Sequence, residues 1–235
     1  MNKKLTFFDI IKSENMKSIT EMIQIRNNDL DNLFIEWKQQ RKDYLTFCED
    51  GILIDDHWDN SRTKILFLLK ETFLDFPIIR GDGHGPDGNS KTFWRKMQMW
   101  TYLTDKIFHA EEIIYNEALK EKEKKNIKIA YVNIKKNVTK GKAAGKTNSN
   151  FEDIKSYAKN DAEFLKKQID LINPDVIICS GTYDFIKFIL PQEELLNNKY
   201  NSIWIVKAKH LSNRKSYLSN FTELKDKLTT FLKNP

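Results

Sequence analysis

Glu71 and His210 are the two residues of this chain whose types pair most readily into chemistry. A carboxylate can orient a water molecule, and an imidazole can stabilise the negative charge that develops as a bond breaks. Together they make a hydrolytic pair. Each stands in a polar segment that follows an apolar run: Lys70–Glu71–Thr72, and Lys209–His210–Leu211–Ser212–Asn213–Arg214. Asn133 ends a third such run, and Ser180–Gly181–Thr182 ends a fourth. Ser212 and Arg214 lie near enough to His210 in sequence to hold a phosphate. The plainer roles are a salt bridge for Glu71 and a helix-capping or surface place for His210. His57, His84 and His109 have no metal-ligand spacing with one another or with the carboxylates, so no metal is expected.

The elements that must position these residues are strands. Residues 64–69, 129–132, 176–179 and 203–206 are apolar, β-branched runs of strand length. Between them lie helical patterns: TFWRKMQMWTYLTDKIF with Asn89 or Ser90 as N-cap, EEIIYNEALKEKEKKN, FEDIKSYAKNDAEFLKKQIDLI, TYDFIKFIL and a closing FTELKDKLTTFL. Strands alternating with helices predict parallel βαβ units, and therefore a three-layer α/β/α sandwich on a four-stranded, mainly parallel sheet. In such a sheet the crevice outside the carboxyl ends of the strands is where ligands bind. All four polar segments are expected there.

Residues 14–60 read as helical. Leu30, Leu33, Phe34, Trp37, Tyr44, Leu45 and Cys48 recur at helical spacing, with Asp29 or Asp31 as the cap and Gly51 at the end. The expected organisation is a helical extension over 1–60, packed on an α/β domain over 61–235.

With 235 residues, 40% apolar and 12% aromatic, the chain can bury a substantial core. Its two cysteines are too few for a disulfide framework or a cysteine-bound metal cluster. The start of the chain lacks the pattern of a signal peptide, no run is long enough to span a bilayer, and a cytoplasmic protein is expected. A net charge of +6, from 39 basic and 33 acidic residues, is compatible with a polyanionic partner.

Two loops stand out. Four of the eight glycines fall within residues 81–88, where the chain must bend sharply or approach a ligand closely, and Phe93–Trp94 soon follow. An aromatic there can stack on a base, or it can simply pack the helix on the sheet, as Trp94 and Trp100 would. The second loop, Gly141–Lys142–Ala143–Ala144–Gly145–Lys146–Thr147, imitates a phosphate-binding P-loop but is one residue short, with Lys140 where the first glycine belongs. A solvated basic loop that touches phosphates is the simpler reading, and nucleotide hydrolysis there the alternative.

Over residues 62–235 the segments resemble the uracil-DNA glycosylase superfamily. KILFLLKET looks like its first strand and water-orienting loop, and GPDGNSKTFW is similar to the Pro-Gly-Asn-x-Phe-Trp stretch of the mismatch-specific enzymes. FLKKQIDLINPDVIICSGT resembles the helix–Pro–strand–Gly segment of the family-four enzymes, and KHLSNR the closing His-Pro-Ser loop. The resemblance implies base flipping followed by hydrolysis of the N-glycosidic bond of a deaminated or modified base in DNA. It places Glu71 or Lys70 at the water-activating loop, with Lys70 and Thr72 also binding the base. It gives Asn133 the base edge, Phe93 the base face and His210 the departing base anion. Ser212, Asn213 and Arg214, joined by Lys146 and Gly181, would grip phosphates, with Leu211 as a wedge. The family-four iron–sulfur cysteines are absent from the sequence, so no cofactor is implied. Lys70 and Leu211 depart from the family pattern, which points to a divergent base specificity or to a binding module for nucleic acid or nucleotide that does not cleave.

Overall fold

The computed structural model describes residues 7–73, 91–121, 128–139, 149–191, 195–196, 198–211 and 215–233. Among them are eight helices, α1 (Phe7–Gln40), α2 (Asp55–Asp59), α3 (Lys91–Phe108), α4 (Tyr115–Glu121), α5 (Phe151–Asn160), α6 (Ala162–Ile172), α7 (Tyr183–Ile189) and α8 (Tyr217–Lys233). Six strands form one sheet: β1 (Ile65–Phe73), β2 (Ile129–Thr139), β3 (Val176–Ser180), β4 (Leu195–Leu196), β5 (Lys199–Tyr200) and β6 (Ile203–Ala208). Their order is β2-β1-β3-β6-β5-β4. No described helix is long and apolar enough to cross a membrane.

The α/β class and the four main parallel strands agree with expectation. The four-stranded count does not, because two antiparallel pairs extend the sheet beyond β6. They exist because Asn201, at φ 52°, accepts the left-handed backbone that a two-residue turn from Tyr200 to Ile203 demands. Asparagine tolerates that region better than most residues, and no apolar run announces such short strands.

Strand faces divide the core in two. Leu66, Leu68, Ala130, Val132, Ile177 and Ile205 pack with α1, α5, α6 and α7 residues such as Trp37, Ile154, Phe164 and Phe185. Phe67, Tyr131, Ile178 and Val206 face the opposite way, against Trp94 and Trp100 of α3, Ala118 of α4 and Leu224 of α8. Trp94 meets Tyr131 edge-on and Trp100 stacks on Phe67, so both tryptophans pack α3 onto the sheet.

Two expected helices are interrupted. The pattern over 151–172 breaks at Asp161, which is fully buried and receives Arg41 Nε at 2.6 Å and the Tyr44 hydroxyl. A carboxylate at the α5–α6 junction that holds the segment following α1 explains a break that helical periodicity hides. The helix expected to reach Gly51 instead stops at Gln40, leaving Asp29 and Asp31 in its interior. Residues 47–53 then run antiparallel along the outer edge of β2. Phe47 pairs with Asn137 and Ile52 with Ala130; Cys48 N–H donates to the Lys136 carbonyl at 2.9 Å, and Tyr131 N–H to the Gly51 carbonyl at 3.0 Å. Sheet-edge hydrogen bonds win over local helical spacing because β2 would otherwise leave its donors and acceptors unpaired. The segment before residue 60 therefore shares the core of the α/β unit, with Trp37 stacked on Phe164 at 5.1 Å.

Candidate functional site

The chain leaves β1 for β2 through α3 and α4, then returns from β2 through α5 and α6 to β3 on the other side of β1. The crevice between the carboxyl ends of β1 and β3 is thus the topological switch point, where the connections diverge and leave room for a ligand. Strand register fixes what reaches it. Glu71 pairs with Lys135 across β1 and β2, and Ser180 with Ala208 across β3 and β6.

Glu71 is held from the β2 side. Its carboxylate accepts from Ser149 N–H at 2.8 Å and Ser149 Oγ at 2.7 Å, with Lys135 Nζ at 3.5 Å. The side chain is 4% exposed. These contacts fix the carboxylate's direction by three groups that ordinary strand patterns do not reveal. Ser149 comes from the entrance to α5, where Asn150 forms a capping box with Asp153, so the N-cap that starts the helix also brings Ser149 to Glu71.

The β3–α7 turn clamps the other side. Thr182 Oγ1 donates to the Leu68 carbonyl at 2.7 Å, Ser180 Oγ accepts from Leu211 N–H at 3.0 Å, and Gly181 N–H donates to the Ala208 carbonyl at 2.9 Å. Gly181 has φ +71°, and a Cβ there would come within 3.1 Å of His210 Cβ. Only glycine provides both the left-handed backbone and the room for His210. The expected Gly181 role as a phosphate contact has no free N–H to draw on, since that donor is already bonded to Ala208.

His210 sits half-buried over this turn. Burial lowers its pKa first, the positive charge of Lys70 lowers it further, Glu71 acts in the opposite sense, and Lys96 adds to the lowering. A shift in this direction favours the neutral imidazole, which carries one ring N–H to donate. Lys96, from α3, is only 2% exposed, and its ammonium donates to the Leu211 carbonyl at 3.0 Å. Burial lowers its pKa as well. Neither Lys96 nor Lys135 nor Ser149 is conspicuous in the sequence; for Lys96 the only available signal is a cation on the apolar face of α3, between Trp94 and Trp100.

The structure therefore brings together Lys70, Glu71, Thr72, Gly181 and His210 along adjoining strand ends. Thr72 is buried and Phe93 half-buried, its ring edge-on to Trp94 at 6.3 Å. Asn133 stands apart from them chemically. It is 1% exposed, and both its backbone N–H and its Nδ2 donate to Asp50 Oδ2, at 2.8 and 2.9 Å, while Oδ1 has no hydrogen-bond partner among the described residues. Ser212, Asn213, Arg214 and Lys146 lie outside the described residues, as do the glycine-rich and P-loop-like loops and the Asn89 or Ser90 cap.

Among the described residues no three His, Cys, Asp or Glu side chains are grouped to hold a metal ion. Cys48 and Cys179 are buried thiols whose pKa burial pushes up, which leaves them unreactive. A cavity of about 390 Å³ opens at the opposite, amino end of β1 and β2, but its Arg62 and Lys106 are already paired with Asp105 and Glu111. No family model and no curated protein matches this chain.

Proposed function

We propose that the crevice at the carboxyl ends of β1, β3 and β6 takes a nucleotide unit flipped out of DNA and hydrolyses its N-glycosidic bond. The observation that carries this reading is the convergence of Glu71 and His210 on adjoining strand ends, with Lys70 and Lys96 beside them. The chemistry follows from those groups. Glu71, fixed by Ser149 and Lys135, orients a water toward the sugar C1′ and takes its proton as the C1′–N bond breaks. The base leaves with the bonding electrons, and the His210 N–H together with the two ammonium groups stabilises the resulting anion. The segment resemblance to the uracil-DNA glycosylases supports the same roles for Glu71 and His210. In this reading the protein is a cytoplasmic base-excision enzyme with DNA as partner and no cofactor.

The same contacts favour a second reading, a binding module that holds a base or nucleotide without cleaving it. Glu71 is already engaged by Ser149 and Lys135, and the amide of Asn133 is committed to Asp50. End-labelled oligonucleotides, each with one deaminated or modified base, separate the two when treated with hot alkali after incubation. Strand breaks at one base that disappear in Glu71→Gln and fall by about 100-fold or more in His210→Ala establish the enzyme. Binding without breaks at any base establishes the module.

A further inference from the structure

A groove of about 430 Å³ lies beside the end of α1, lined by Lys38, Arg41, Lys42, Tyr44 and Phe47. It is built from alternating cations and rings. Tyr44 stacks near Phe47 with centroids 6.4 Å apart and tilts against Tyr157 at 5.5 Å. Lys38 lies over the Phe47 ring at 5.6 Å. Lys38 and Arg41 are paired with Glu49 and Asp161, while Lys42 is exposed and has no ion pair among the described residues. Leu45, next to Tyr44 in the chain, is 86% exposed.

Side-chain contacts place the groove next to the Glu71 side of the crevice. Lys135, the residue that reaches Glu71, also lies over the Tyr157 ring at 5.2 Å. Asn137, on the same strand, donates to the Tyr157 hydroxyl at 3.3 Å and pairs with Phe47. One line of contacts thus runs from Glu71 through Lys135, Tyr157 and Tyr44 to Phe47, in the groove that Lys42 also lines. Rings that take bases of any sequence, interleaved with ammonium groups that take phosphates, are what an unpaired nucleic-acid strand requires.

We propose that this groove is the track for the single strand leaving the crevice, with a phosphate at Lys42 and a base against the Tyr44–Phe47 rings. The inference rests on the nucleotide reading of the crevice. It makes the substrate a polynucleotide with an unpaired flank, not a free nucleotide.

Fluorescence anisotropy with a labelled oligothymidylate of about 12 nucleotides tests it, at salt from about 50 to 200 mM. Lys42→Ala is expected to weaken binding three-fold or more and to flatten the slope of log affinity against log salt by about 0.7. Phe47→Leu, which keeps apolar packing against Trp37 and Phe34, is expected to weaken binding about five-fold or more. Lys106→Ala, at the opposite, amino end of β1 and β2, should change nothing, and thymidine monophosphate should bind Lys42→Ala as it binds wild type. Oligonucleotide binding that ignores both groove variants overturns the track and leaves the crevice reading intact. Wild-type protein that binds neither oligonucleotide nor nucleotide at low salt overturns both.

Discussion

Two lysines are buried among the described residues, and they are buried differently. Lys136, fully enclosed, meets the equally enclosed Asp50, whose carboxylate also accepts from Asn133 and Gln168, and its ammonium lies 5.4 Å from the centre of the Trp37 ring. Lys96, almost as deep, donates to the Leu211 carbonyl and stands beside His210, whose proton affinity it lowers. The first arrangement places opposite charges in contact and joins β2, α6 and the 47–53 segment. The second concentrates positive charge at the crevice, where burial already disfavours it. Ionic burial of the first kind stabilises a fold, and burial of the second kind prepares a place for an anion.

The contrast can be broken at its structural end first. Asp50→Ala leaves Lys136 buried without its carboxylate, and urea unfolding should register a loss of about 3–5 kcal/mol. Next comes the crevice scaffold. Gly181→Ala puts a methyl-bearing residue at φ +71° and against His210, with an expected cost of about 1–2 kcal/mol in the same assay. Lys96→Met should move stability least, because the cost of burying the charge goes with the hydrogen bond. Its effect is electrostatic: the His210 pKa rises toward its ordinary value, read from the imidazole proton shifts by NMR titration. The sign for wild type follows from the depressed folded value. The stability tied to His210 is complete above pH 6.5, where the unfolded form is neutral too, and is lost as pH falls through the lower folded value. A titration of Lys96→Met that overlays wild type would refute the distinction between the two lysines.

Much of the sheet was legible because Ile65–Leu69, Val176–Cys179 and Ile203–Val206 are apolar on both faces, as strands covered by helices must be. The reach of β2 was not. It continues through Lys135 and Lys136 to Thr139, and a buried lysine in a strand makes sense only with Asp50 present, 86 residues earlier. Glu71 and His210 were readable as strand-end residues, and the plainer salt-bridge role for Glu71 also describes its Lys135 contact. Ser149, Lys96 and Asp50 were not readable, since each acts through a residue distant in the chain. The break at Asp161 escaped for the same reason, because Arg41 and Tyr44 lie about 120 positions away.

The run from Phe47 to Leu53 has a consequence for the outer margin of β2. By donating and accepting along that margin, with Asp50 taking the one N–H of Asn133 that a plain strand would leave idle, it closes a row of groups on which a foreign strand would otherwise grow. Cut away before residue 60, the remaining chain would keep every strand it needs for a sheet and lose its protection against strand-by-strand self-association. What looks like a leader to the α/β unit is also its guard against aggregation.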